Sequence, residues 1–187
     1  FGVIAIFLYV GIEVGIPNVA NLYMTSPDGL GMIPGVAGTL VGAYWFLMLC
    51  GRLVGGAIGA KVSSRAMMTF VSSLAIVFVL LGMFIPSNVT MSLLDAQVPV
   101  GMAFFVLCGL CTSFMWGAIF NLAVEGLGKY TSIASGLFMV MVMGGGILPL
   151  VQGAVADAAG YINSYWVLVA ALAYILWFAL KGSRTNK

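Results

Sequence analysis

Glu13 stands alone as a charge in the apolar run from Phe1 to Met24. A carboxylate at that depth costs at least ~2.5 kcal/mol to insert, so it is expected to face a bundle interior or a watered path and bind substrate or ions there. Pro17 follows one turn later and frees a backbone carbonyl near residue 13. A broken helix lining a cavity is one way to build a transport site. Asn18 and Asn21 sit close enough to hydrogen-bond a ligand's hydroxyls. In a later run, Thr112, Ser113 and Trp116 share a helical face, with Asn121 below them. An indole beside hydroxyls suits a sugar, whose C–H face stacks on the ring while its own hydroxyls find partners. Trp45 is a weaker aromatic candidate. Gln152, one turn past Pro149, is a further partner for a hydroxyl. The expected substrate-binding set is therefore Glu13, Asn18, Asn21, Trp116, Asn121 and Gln152. Arg52 lies two turns from the basic end of its run, where it is expected to snorkel to the interface or pair with Glu125 as a gate or structural ion pair.

The elements that must position these groups are membrane helices. Of 187 residues, 63% are hydrophobic and 6% charged, and the mean hydropathy is +1.17. A soluble domain carries roughly 25% charged residues, so lipid must cover most of this surface. The 25 glycines suit close helix approach. Six segments of about 20 apolar residues span roughly residues 1–24, 36–60, 64–86, 98–124, 130–156 and 161–180. The fifth contains Gly144-Gly145-Gly146 and Pro149, which read equally as a hinge or as a tight packing joint. Gly51, Gly55, Gly56 and Gly59 read as helix packing.

Charge placement gives an orientation. Asp28, Asp95 and Asp157 lie in the odd loops. Lys61, Arg65, Lys129, Lys181, Arg184 and Lys187 lie in the even loops and the tail. The positive-inside rule then makes the even loops and both termini cytoplasmic.

Several chemistries are excluded or disfavoured. There is no histidine, which removes His metal sites and His bases. Cys50, Cys108 and Cys111 lie in apolar runs and read as small packing residues; no metal or cofactor is expected. No Ser lies in a G-x-S-x-G context, so an enzyme is not expected. The paired loops of water channels and the repeats of mitochondrial carriers are missing.

Tyr9-Val10-Gly11-Ile12-Glu13-Val14, the stretch from Leu122 through Glu125 to Ser132, and Pro149 through Asp157 resemble the fucose–galactose–glucose:proton symporters, a branch of the major facilitator superfamily. Gly51-Arg52 with Gly59-Ala60-Lys61 is similar to the superfamily's inner-loop motif, with Ala60 where an acid is common. The resemblance implies an all-α membrane protein whose six transmembrane helices are half of a twelve-helix transporter. A chain that opens on Phe1 inside a span reads as a fragment whose upstream part is missing, and the resemblance implies that it is the C-terminal half, with an N-terminal six-helix half absent. The resemblance further implies uptake of a monosaccharide of hexose type, coupled to the proton by alternating access, in the bilayer of a bacterial inner membrane. Its principal proton-carrying carboxylates lie in the missing half, which leaves Glu13 to the sugar. Nucleic acid is not among the expected partners. An exporter of a drug or other metabolite in the same superfamily is the alternative.

Overall fold

The computed structural model describes residues 1–59, 61–93 and 96–183. Ala60, Asp95, Arg184 and Lys187, which entered the motif and charge arguments, lie outside the described residues. Among the described residues, six helical spans are long and apolar enough to cross a membrane. They are α1 (Gly2–Thr25), α2 (Pro34–Gly59), α3 (Ser64–Phe84), α4 (Val100–Val124), the pair α5 (Thr131–Met141) and α6 (Gly144–Ala159), and α7 (Tyr161–Trp177). A π turn, Phe178–Gly182, extends α7. The spans alternate in direction. One end of the bundle therefore carries Lys61, Arg65, Lys129 and Lys181, and the other carries Asp28 and Asp157.

Two local features escape the sequence pattern. The third loop contains a small antiparallel hairpin, β1 (Thr90–Leu93) against β2 (Ala96–Pro99), with Met91 opposite Val98. Four-residue strands are too short for a periodic signal. The fifth span is broken at Val142 and Met143, where amide bonds tighten to Met139 and Val140 three residues back. The break precedes the three glycines rather than falling on them.

α1 is the axle of the bundle. Of its apolar window 67% is buried, against 17% for α2 and 22% for the α5–α6 span. α1 packs on α6, α4 and α7; α2 leans on α4; and α3 fills the space between α4 and α7. The α1–α6 crossing is close because Gly144 lies on the Phe7 carbonyl and Gly11 on Leu148, where any Cβ would overlap its neighbour. Gly51 and Gly55 likewise meet Ser113 and Phe114 of α4. Gly56 and Gly59, expected in the same packing role, have no atom within 4 Å and instead line an open groove.

Candidate functional site

The site is built where α1, α2 and α4 meet. Glu13 sits near the middle of α1, and its carboxylate Oε1 is 2.6 Å from Nη2 of Arg52 on α2. The direction of the helices explains the meeting. Side chains lean toward the N-terminus of their own helix. α1 starts at the basic end, so Glu13 leans down toward it. α2 starts at the acidic end, so Arg52 leans up toward the membrane centre. The two side chains converge from depths that differ by several ångströms.

That geometry corrects the expectation for Arg52. It neither snorkels to the basic interface nor pairs with Glu125. Snorkelling would turn the side chain against its own Cα–Cβ direction. Glu125 is exposed at the C-cap of α4 and lines a separate surface pocket with Ser63, Arg65 and Asn121. Among the described residues Arg52–Glu13 is the only salt bridge. It is lopsided: the Glu13 side chain is 12% exposed and that of Arg52 is 48% exposed. The carboxylate is thus walled in behind a guanidinium that keeps free N–H groups toward the opening.

Tyr9 joins this pair to Trp116. One turn before Glu13 on the same stripe of α1, its hydroxyl accepts from Arg52 Nη2 at 3.4 Å. Its fully buried ring lies 6.0 Å from the Trp116 ring, centroid to centroid, at 56°. Trp116 is half-buried on α4 and, with Arg52, Gly56, Ser113 and Asn121, lines a groove of about 390 Å³ that runs toward the basic end. Asn121 stands near its mouth, where Nδ2 donates to Ser64 Oγ at 3.4 Å. Toward the acidic end the same three helices close, leaving an apolar gap of only about 10 Å³ beside Pro17 and Tyr44.

Tyr44 is the functional residue that sequence reasoning missed. Its hydroxyl donates to the backbone carbonyl of Glu13 at 2.9 Å. This is the carbonyl that Pro17, lacking an N–H, leaves without its helical partner. The signal was present: an orphan carbonyl inside a membrane must find a donor, and Tyr44 lies about two turns from Arg52 on the same helix.

The remaining candidates do not join the groove. At about 100° per residue, Asn18 lies roughly 140° around α1 from Glu13 and is exposed, and Asn21 lies about 80° away and is half-buried. The Asn21 carbonyl accepts from Thr25 Oγ1 at 2.8 Å. Gln152 is fully buried on the opposite side of α1, against Gly15, with neither amide atom hydrogen-bonded. Cys108 and Cys111 are buried packing residues, and no cluster of metal ligands occurs among the described residues. Arg52, Trp116 and Asn121 thus line one groove, and Glu13 stands behind it, joined to it only through Arg52; Asn18, Asn21, Gln152 and Glu125 are not brought there.

An engaged carboxylate, a guanidinium with spare donors and an indole plate can together hold a small polyhydroxylated molecule. No family model matches the chain. It is 30% identical over 184 residues to a glucose/galactose transporter of Brucella abortus, covering 98% of this chain and 42% of that protein. It is 26% identical over 186 residues to the L-fucose-proton symporter of Escherichia coli K12, covering 40% of it. The chain thus spans about two fifths of the length of the curated relatives it matches. The crystal structure of FucP, a major facilitator superfamily transporter in the outward conformation, superposes with a TM-score of 0.83 at 24% identity, over 99% of this chain and 42% of that one. Six spans, this superposition and these relatives make the chain one half of a major facilitator superfamily fold, related by sequence to transporters of glucose, galactose and fucose.

Proposed function

We propose that this chain is the C-terminal half of a secondary transporter that takes up a hexose-type sugar together with a proton by alternating access across a bacterial inner membrane. The observation that carries the reading is the Glu13–Arg52 pair, held at mid-depth with Arg52 on the wall of the groove that Trp116 lines. The names of the relatives support the sugar, and that of the fucose symporter supports the proton. The sparse burial of α2 and of the α5–α6 span leaves faces for an N-terminal six-helix half to cover. Glu13 is committed to Arg52, which suits a sugar-binding acceptor better than a proton in transit, and the coupling carboxylate then belongs to the other half. The basic end lies in the cytoplasm by the positive-inside rule.

The test uses full-length protein. Glu13→Gln keeps the shape and removes the charge; Trp116→Ala removes the stacking plate. Each should weaken galactose or fucose binding, read by calorimetry, by about 1–3 kcal/mol. Uptake into vesicles should be abolished by a protonophore. Unchanged affinity in both variants would remove the shared site, and energised efflux of a drug without sugar uptake would favour an exporter. Cysteines at Asp28 and Asp157 should label from outside and one at Arg65 from inside; the reverse pattern would overturn the orientation.

A further inference from the structure

α2 grips Glu13 twice, and the second grip has a role of its own. Arg52 takes the carboxylate; Tyr44, about two turns away, takes the carbonyl of the same residue at 2.9 Å. Without Tyr44 that carbonyl would be orphaned in a region with no water to satisfy it, because Pro17 has removed the amide that a straight helix would supply. With its one proton on the Glu13 carbonyl, the Tyr44 hydroxyl accepts from Thr112 Oγ1 on α4 at 3.3 Å. Gly109 is the point where α4 touches the Tyr44 backbone, with no room for a side chain. Trp116 follows Thr112 by one helical turn on the same helix. One hydroxyl therefore joins the freed carbonyl of α1, the helix that carries Arg52 and the helix that carries Trp116.

The structure assigns Tyr44 as the positioning residue of Glu13: by capping the carbonyl that Pro17 frees inside α1, it holds the Glu13 backbone, and with it the carboxylate, in place relative to Arg52 and the Trp116 groove. Tyr44 is fully buried and its hydroxyl is taken up by the Glu13 carbonyl and Thr112, so it acts through Glu13 and not on a ligand. As a role in binding, this rests on the sugar-site reading above; as a cap on the freed carbonyl, it does not.

Two substitutions separate positioning from plain packing. Tyr44→Phe removes only the hydroxyl. Pro17→Ala restores an amide at residue 17 that can bond the Glu13 carbonyl inside α1, which makes the Tyr44 hydroxyl dispensable. In full-length protein, Tyr44→Phe should lower the melting temperature and weaken binding of D-galactose about three- to tenfold, the scale of one lost buried hydrogen bond. Adding Pro17→Ala to Tyr44→Phe should recover most of the melting temperature and at least part of the affinity. A hydroxyl that merely fills space among α1, α2 and α4 would give no rescue, because Pro17→Ala returns nothing to the Tyr44 site. Absence of rescue in both readouts, or a Tyr44→Phe protein that melts and binds like the parent, overturns the assignment. Rescue of melting with no galactose dependence in any variant supports the cap and sinks the sugar reading instead.

Discussion

The two sides of α1 are packed by opposite means. Toward α2 and α4 it presents Tyr9, the Glu13 carboxylate and the Glu13 carbonyl, and each of these groups has a named polar partner. Toward α6 and α7 it presents Gly11, Gly15 and the Phe7 carbonyl, which meet Leu148, Gln152 and Gly144 with hardly any side chain between the backbones. The first side is held by direction-dependent bonds, which specify an arrangement of charges. The second is held by contact distance, which specifies how near two helices lie. A groove of about 390 Å³ opens at the Arg52 level on the first side, whereas on the second, space of about 490 Å³ opens only at the acidic end, beyond the glycine contacts, beside Tyr23, Asp157 and Tyr161. Polar bonds leave gaps between helices, whereas a seam of glycines closes them.

The seam should show the largest effect. A Cβ at Gly144 would overlap the backbone carbonyl of Phe7, an atom that cannot step aside as a side-chain tip can. Gly144→Val should therefore cost about 3 kcal/mol or more, through overpacking and a forced shift of α6. Gly146, two residues on, has nothing within 4 Å, and Gly146→Ala serves as its control. The measurement is melting temperature and monodisperse yield of the full-length protein. A Gly144→Val variant that matches the control would show that the seam is not a steric joint.

The polar side comes next. Arg52→Gln leaves the Glu13 carboxylate walled in without its partner. Removing one member of a fully buried pair costs 3–5 kcal/mol. Arg52 is half exposed, so solvent screening lowers the expected loss to about 1–3 kcal/mol. The double variant Glu13→Gln/Arg52→Gln should melt above Arg52→Gln alone, because it removes the stranded charge. If the double variant is the less stable, Arg52 contributes by its aliphatic stem and not by its charge.

The contrast also explains what could be read in the sequence. The six spans were legible because lipid imposes length and apolarity on each of them, and their ends fall within a few residues of the helices found. Glu13 and Trp116 stood out by type: a lone carboxylate at mid-depth and an indole too deep for an interface. Arg52's partner was not legible, since it depends on which way each helix runs and how its Cα–Cβ bonds tilt, a property of the assembled pair. Tyr44 was hidden because a tyrosine in an apolar helix is ordinary; only the orphan carbonyl made by Pro17 gives it a task. Asn18, Asn21 and Gln152 were grouped with Glu13 because they are polar at similar depth. Depth fixes the layer of a residue and leaves its azimuth around the helix open, and azimuth separates these three from the groove.

Gln152 gives the smallest expected effect and the sharpest comparison. It lies in the glycine seam, fully buried, with both amide atoms unpartnered and Oε1 2.6 Å from where a Gly15 Cβ would stand. An unpaired buried amide is destabilising by about 1–3 kcal/mol. Methionine has nearly the same length and flexibility and brings no such penalty. Gln152→Met should therefore raise stability by about 1 kcal/mol, seen as a higher melting temperature. Gly15 and Glu13 point roughly 200° apart on α1, so under the proposed function galactose affinity should stay at the parent value. That pairing of outcomes would confine binding to the α2–α4 side. A lower melting temperature would mean that the amide is bonded in the membrane and that the seam is not purely steric. A higher melting temperature with slower uptake and unchanged affinity would mean that Gln152 gains its partner in another stage of the transport cycle, and the two sides of α1 would then share the work.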